Sequence, residues 1–200
     1  MCLPRNAGRQ RIAAPLPGYE KRSGKLEPLG ELLQQCREGR HRALVFCQST
    51  SMLDILGHYL TAHAVAWLRL DGETPGAARL GLVERFNAER ALDAFLISTR
   101  AGGTGLNLTG ADTVIFYDHD WNPAADQQAQ DRAYRIGQQR VVNVYRLICK
   151  GTLEEKILRR QELKRLLADT ILQPGLGALH DLTREELLSL FTLSTDAAGA

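Results

Sequence analysis

Arg132 and Arg135 stand three residues apart, and Gln128 precedes the first by four; on a helix those steps put all three on one stripe. Two guanidiniums about one turn apart can grip a terminal phosphate and stabilise charge spreading over its oxygens during phosphoryl transfer. The same spacing also fits a solvated face, with Asp131 and Arg135 as an ordinary i,i+4 pair. Asn122-Pro123 supplies the start of that helix, a cap followed by a proline at the first helical position. Upstream, Ser98-Thr99-Arg100-Ala101-Gly102-Gly103-Thr104-Gly105 holds three glycines in four positions. Exposed amides in such a loop, with the Ser and Thr hydroxyls, suit a phosphate oxygen, and a tight structural turn would use the same residues. The loop is neither a P-loop nor G-x-G-x-x-G.

These segments need strands and helices to position them, and the apolar pattern supplies both. Leu29, Leu32, Leu33 and Cys36 recur at helical spacing from Leu26 to near Gly39. Ala43 to Cys47 is a short apolar run of the kind a buried parallel strand shows. Ser49 and Thr50 then cap a helix carrying Leu53, Leu56 and Leu60. Val65 to Leu70 reads as a strand closed by Asp71-Gly72, and 76–88 as a helix burying Leu80, Val83 and Phe86. Ala94 to Ser98, Thr113 to Tyr117 and Val141 to Ile148 complete the strands. Strands alternating with helices mean a parallel α/β sheet covered on both faces, which binds ligands beyond the carboxyl ends of its strands. The glycine-rich loop falls at such an end.

Residues 1–25, rich in Pro, Gly and Arg, read as a linker; 26–150 form the α/β lobe, and 151–200 a helical extension. In the last of these, Pro174-Gly175 stops one helix and Thr183-Arg-Glu-Glu186 caps another. The net charge is +2 over 200 residues, but residues 1–42 carry 9 basic and 4 acidic side chains and the rest 16 and 19. Nucleic-acid contact must therefore come from local patches. The four cysteines have no zinc-finger spacing, which predicts no metal site, and Cys47 and Cys149 read as buried free thiols. Every apolar run is too short to span a bilayer, so no membrane partner is expected.

Taken together, the motifs are specific. Ser98-Thr-Arg-Ala-Gly-Gly, Ala111-Asp-Thr-Val-Ile-Phe-Tyr-Asp, Asp120-Trp-Asn-Pro and Gln128-Ala-Gln-Asp-Arg-Ala-Tyr-Arg-Ile-Gly-Gln138 resemble the second RecA-like lobe of SWI/SNF-type ATPases. These are double-stranded-DNA translocases of helicase superfamily two. Val45-Phe-Cys-Gln48 and Arg69-Leu-Asp-Gly72 match earlier motifs of that lobe, so the resemblance spans about residues 26–172. It implies that Arg132 and Arg135 are arginine fingers, and that Gln128, Asp131, Gly103 and Gly105 lie near the nucleotide. It also implies that Gln48, Ser98, Thr99, Arg100 and Trp121 face DNA or couple the lobes. Thr104 replaces the family's usual Leu, and Tyr134 its usual His. Ser51-Met-Leu-Asp-Ile-Leu, Asn107-Leu-Thr-Gly-Ala-Asp112, Arg140-Val-Val-Asn-Val-Tyr-Arg-Leu, Gly151-Thr-Leu-Glu-Glu-Lys-Ile and the tail Glu186 to Leu193 look like the branch that removes TATA-box-binding protein from promoters.

The resemblance implies a nuclear protein using ATP with Mg2+, with double-stranded DNA, an N-terminal RecA-like lobe, and TATA-box-binding protein or nucleosomes as partners. No Walker A sequence occurs, since Gly24-Lys25 is followed by Leu26, and no D-E-x-H follows an apolar run. The chain thus reads as half a motor, expected to be inactive alone. A free-standing, non-catalytic DNA- or protein-binding lobe stays open as the alternative. Arg140, beyond Gly137 and off the stripe, is expected to be dispensable for turnover.

Overall fold

The computed structural model describes residues 18, 19, 23–102, 106–118, 128, 130, 131, 138 and 140–172. They form two compact units, up to Glu155 and from Lys156 onward. In the first, α1 (Leu26–Glu38), β1 (Ala43–Cys47), α2 (Thr50–Ala62), β2 (Trp67–Leu70), α3 (Gly76–Ala88) and β3 (Ala94–Ser98) alternate. The short α4 (Thr99–Gly102), β4 (Thr113–Phe116) and β5 (Asn143–Arg146) follow, and α5 (Leu153–Leu172) runs on into the second unit. The five strands form one parallel sheet in the order β2-β3-β1-β4-β5.

The three inner strands are buried at every position, as strands covered on both faces must be. The pleat sorts their side chains. Leu44, Phe46, Phe95, Ile97, Val114 and Phe116 pack with Val83 and Phe86 of α3. Ala43, Val45, Cys47, Ala94, Leu96 and Ile115 pack with Leu29 and Leu33 of α1 and Leu53, Leu56 and Leu60 of α2. Phe46 stacks on Phe116 at 5.6 Å between ring centroids, and Phe86 meets Phe95 at 5.1 Å. Ser49 caps α2 as expected, its hydroxyl accepting from the Met52 N–H at 3.3 Å.

Three expectations change. Leu80 is 62% exposed. At about 100° per residue it lies roughly 115° from the centre of the stripe set by Leu82, Val83 and Phe86, too far round to reach the sheet. The last strand is shorter than its apolar run, because β4 offers partners only from Thr113 to Phe116. Cys149 is half-buried, since it lies past the end of β5 in the turn before α5. Cys36 and Cys47 are buried free thiols. Among the described residues no helix is long and apolar enough to cross a membrane.

Candidate functional site

The register sets three loops side by side. Cys47 pairs with Ser98, and Phe46 with Phe116, whose successor Tyr117 donates its N–H to the Phe46 carbonyl at 2.9 Å. The residues just past these positions, Gln48, Thr99 and Asp118, therefore share one rim at the carboxyl ends of the three inner strands, where α/β sheets bind ligands.

Each loop is fixed from beneath. Ser98 is 3% exposed, and its hydroxyl accepts from the Ala101 N–H at 3.2 Å, starting the turn of α4. Thr99 is half-buried at the head of that turn, and Gln48 is exposed. Asp118 holds the Gln48 turn, accepting the Gln48 N–H at 2.7 Å and the Cys47 thiol at 3.0 Å. Burial first, and then the Asp118 charge, raise the Cys47 thiol far above its ordinary value, so it stays a protonated donor. On the far side, Arg69 pairs with Asp54 of α2 and donates to Asp71 Oδ2 at 2.8 Å, tying β2 to the same helix. Asp71 in turn accepts the Glu73 N–H at 3.0 Å and closes the Asp71-Gly72 turn.

Gln128 and Asp131 are exposed, the first in helical backbone and the second in a turn. Gly103, Gly105, Trp121, Arg132 and Arg135 lie outside the described residues, as do the Arg100 side chain, the Pro174-Gly175 stop and the Thr183 cap. Among the described residues no three His, Cys, Asp or Glu side chains converge to hold a metal ion.

Sequence reasoning passed over two residues. Asp118 was legible as a carboxylate directly after an apolar strand. Lys25, within the stretch read as linker, is 8% exposed and had no such signal.

Arg140 proves to be anchored at the opposite end of the sheet. Its Nη1 donates to Asp112 Oδ2 at 2.8 Å and to the Arg40 carbonyl at 3.1 Å. Asp112 also receives His41 Nδ1 at 2.8 Å and the Arg42 N–H at 3.1 Å. Burial pushes its carboxyl up, but the hydrogen bonds from Arg140, His41 and Arg42 outweigh that and hold it below its ordinary value.

Residues 24–137 match the family described as helicase conserved C-terminal domain. The TATA-binding protein-associated factor 172 of Homo sapiens is 49% identical, the match covering 86% of this chain and 10% of that protein. Helicase SWR1 of Candida glabrata is 53% identical over 76% of this chain and 10% of its own length. The chain thus spans about a tenth of the length of these relatives. The crystal structure of the C-terminal part of the Fun30 ATPase domain superposes with a TM-score of 0.69 at 39% identity, over 72% of this chain and 47% of that one. With the parallel sheet and its ordered rim, these matches place the chain in the helicase conserved C-terminal domain family, as a RecA-like lobe of the SWI/SNF type of superfamily-two ATPases.

Proposed function

We propose that this chain is the C-terminal motor lobe of an ATP-dependent double-stranded-DNA translocase that remodels chromatin or displaces a transcription factor. The observation that carries the reading is the rim of Gln48, Thr99 and Asp118, set level on three strands within a matched helicase C-terminal domain. ATP with Mg2+, held mainly by an N-terminal lobe, supplies the free energy. Arg132 and Arg135 contribute guanidiniums to its terminal phosphate from across the cleft, with Gln128, Asp131 and the Gly103–Gly105 loop beside them. Gln48, Thr99, Arg100 and Trp121 contact DNA phosphate and sugar, so binding is independent of base sequence. Ser98 acts from beneath, by holding the turn that presents Thr99. The likeness to the TATA-binding protein-associated factor supports that protein's DNA-bound partner, or a nucleosome, as the target, and a nuclear site of action.

The test joins this chain to a first lobe. Arg132→Ala or Arg135→Ala should leave folding and nucleotide affinity nearly intact and lower turnover on the order of 10³-fold. Arg→Lys should rescue poorly, since a point charge lacks the bidentate fork. Full rate with Lys at both positions would leave the solvated-face reading standing.

A further inference from the structure

The stretch that reads as a linker is stitched to the rim. Tyr19 packs on the cluster between the sheet and helices α1 and α2. Ser23 Oγ lies 3.1 Å from the phenol oxygen of Tyr117. Lys25, with its side chain 9% exposed, donates Nζ to the Tyr117 carbonyl at 2.8 Å and forms an ion pair with Glu154 in the first turn of α5. Its ammonium also sits 5.5 Å from the centre of the Tyr117 ring. Glu154 uses its other oxygen to accept the Cys149 N–H at 2.8 Å.

A lysine buried this far is costly unless every interaction it loses in water is replaced. Here two separate segments supply the replacements: the end of β4, through the carbonyl and ring of Tyr117, and the first turn of α5, through Glu154. The residue after Tyr117 is Asp118, which holds the Gln48 turn. The chain entering the lobe, the helix leaving it and the rim are thereby joined at one point through one cation.

We infer that Lys25 is a positioning residue: it locks the entering strap and the start of α5 to the end of β4, and through Asp118 sets the Gln48 turn. Tension applied to the segment before α1 would reach the rim by this route, without passing through the sheet core. The consequence for DNA rests on the motor reading above; the mechanical coupling does not.

Amide hydrogen exchange of the whole chain tests it, comparing wild type with Lys25→Met and Glu154→Gln. Both variants should speed exchange at Gln48 at least 10-fold relative to Val45 in the middle of β1, and Lys25→Arg should restore much of the protection. Taking the ratio to Val45 removes any general loss of stability, and Glu154→Gln serves if Lys25→Met fails to fold. Faster exchange at Cys149 alone, with the Gln48 to Val45 ratio unchanged, would overturn the coupling and leave Lys25 a local staple. A 30-base-pair duplex titrated against the same variants separates the two ideas. Loss of Gln48 protection with unchanged duplex affinity upholds the coupling and counts against Gln48 as a DNA contact.

Discussion

The Cys47 thiol donates to Asp118 Oδ2 at 3.0 Å, so a carboxylate at the end of one strand holds the last side chain of the strand beside it. Both groups depend on the thiol keeping its proton. Ionised, Cys47 would set two negative charges against each other in a site shielded from water, and its raised pKa reflects burial before that repulsion.

Asp118→Ala should therefore leave the Gln48 N–H without its carboxylate acceptor and the buried Cys47 thiol with only the Ser49 carbonyl, at 3.6 Å. The expected loss in urea unfolding is about 1–2 kcal/mol. At neutral pH a thiol reagent should modify half-buried Cys149 well before Cys47, resolved by peptide mapping. Modification of Cys47 first would contradict the protonated clamp.

Two glycines make a matched pair of probes. A Cβ on Gly57 in α2 would fall 2.7 Å from the Trp67 ring, whereas one on Gly81 in α3 meets nothing within 4 Å. Both substitutions gain about 1 kcal/mol of helix propensity. Overpacking costs about 1–3 kcal/mol, so Gly57→Ala should come out destabilising and Gly81→Ala stabilising by about 0.5–1 kcal/mol. Calorimetry orders them, and Trp67 emission should shift only in the first.

Asp112 gives a pH prediction with a definite sign. Its folded value lies below its ordinary one, so its stabilisation is fully present above the unfolded value of about 3.9 and is lost as pH falls through the folded value. Asp112→Asn should cost about 1–3 kcal/mol at neutral pH, with the gap to wild type closing below about pH 4. Chemical denaturation at stepped pH measures it; a gap that widened in acid would reverse the sign. Arg140→Ala, which strips one partner from Asp112, should lower stability while sparing turnover per folded molecule.

Duplex binding by the chain alone should be weak and salt-sensitive, with a shallow salt slope because only a few phosphates are engaged. With two to four phosphates engaged, log affinity should fall against log salt with a slope of about −2 to −4. Fluorescence anisotropy on two unrelated duplexes should give equal affinities. A strong preference for one sequence that survives high salt would count against the rim as a backbone reader.

The boundaries of α1, β1 and α2 were legible because apolar period and caps agree: Leu26, Leu29, Leu33 and Cys36 are the buried face of α1, and Ser49 caps α2. Leu80 misled because three-residue spacing drifts around a helix, so the first member of such a series can leave the stripe. The length of β5 is set by its neighbour, not by its own apolar run. Lys25 was hidden for a different reason. Its surroundings read as linker by composition, and the carboxylate that permits its burial lies 129 residues away. The rim was readable as loops after strands; what holds it in place was not, because Asp118 and Cys47 meet only once the strand order is known.

That strand order also shapes how the chain can fold. β1 occupies the centre of the sheet, yet its partners begin at Ala94 and Thr113. During synthesis, Ala43 to Cys47 emerges as five consecutive apolar residues with no strand to pair with until β3 has left the ribosome. Closing these distant contacts first costs loop entropy, which makes parallel sheets slow to form and prone to association while open. A chain ending before Ala94 would keep α1 and α2 on one side of β1 but leave both of its edges bare, a template for pairing with other copies.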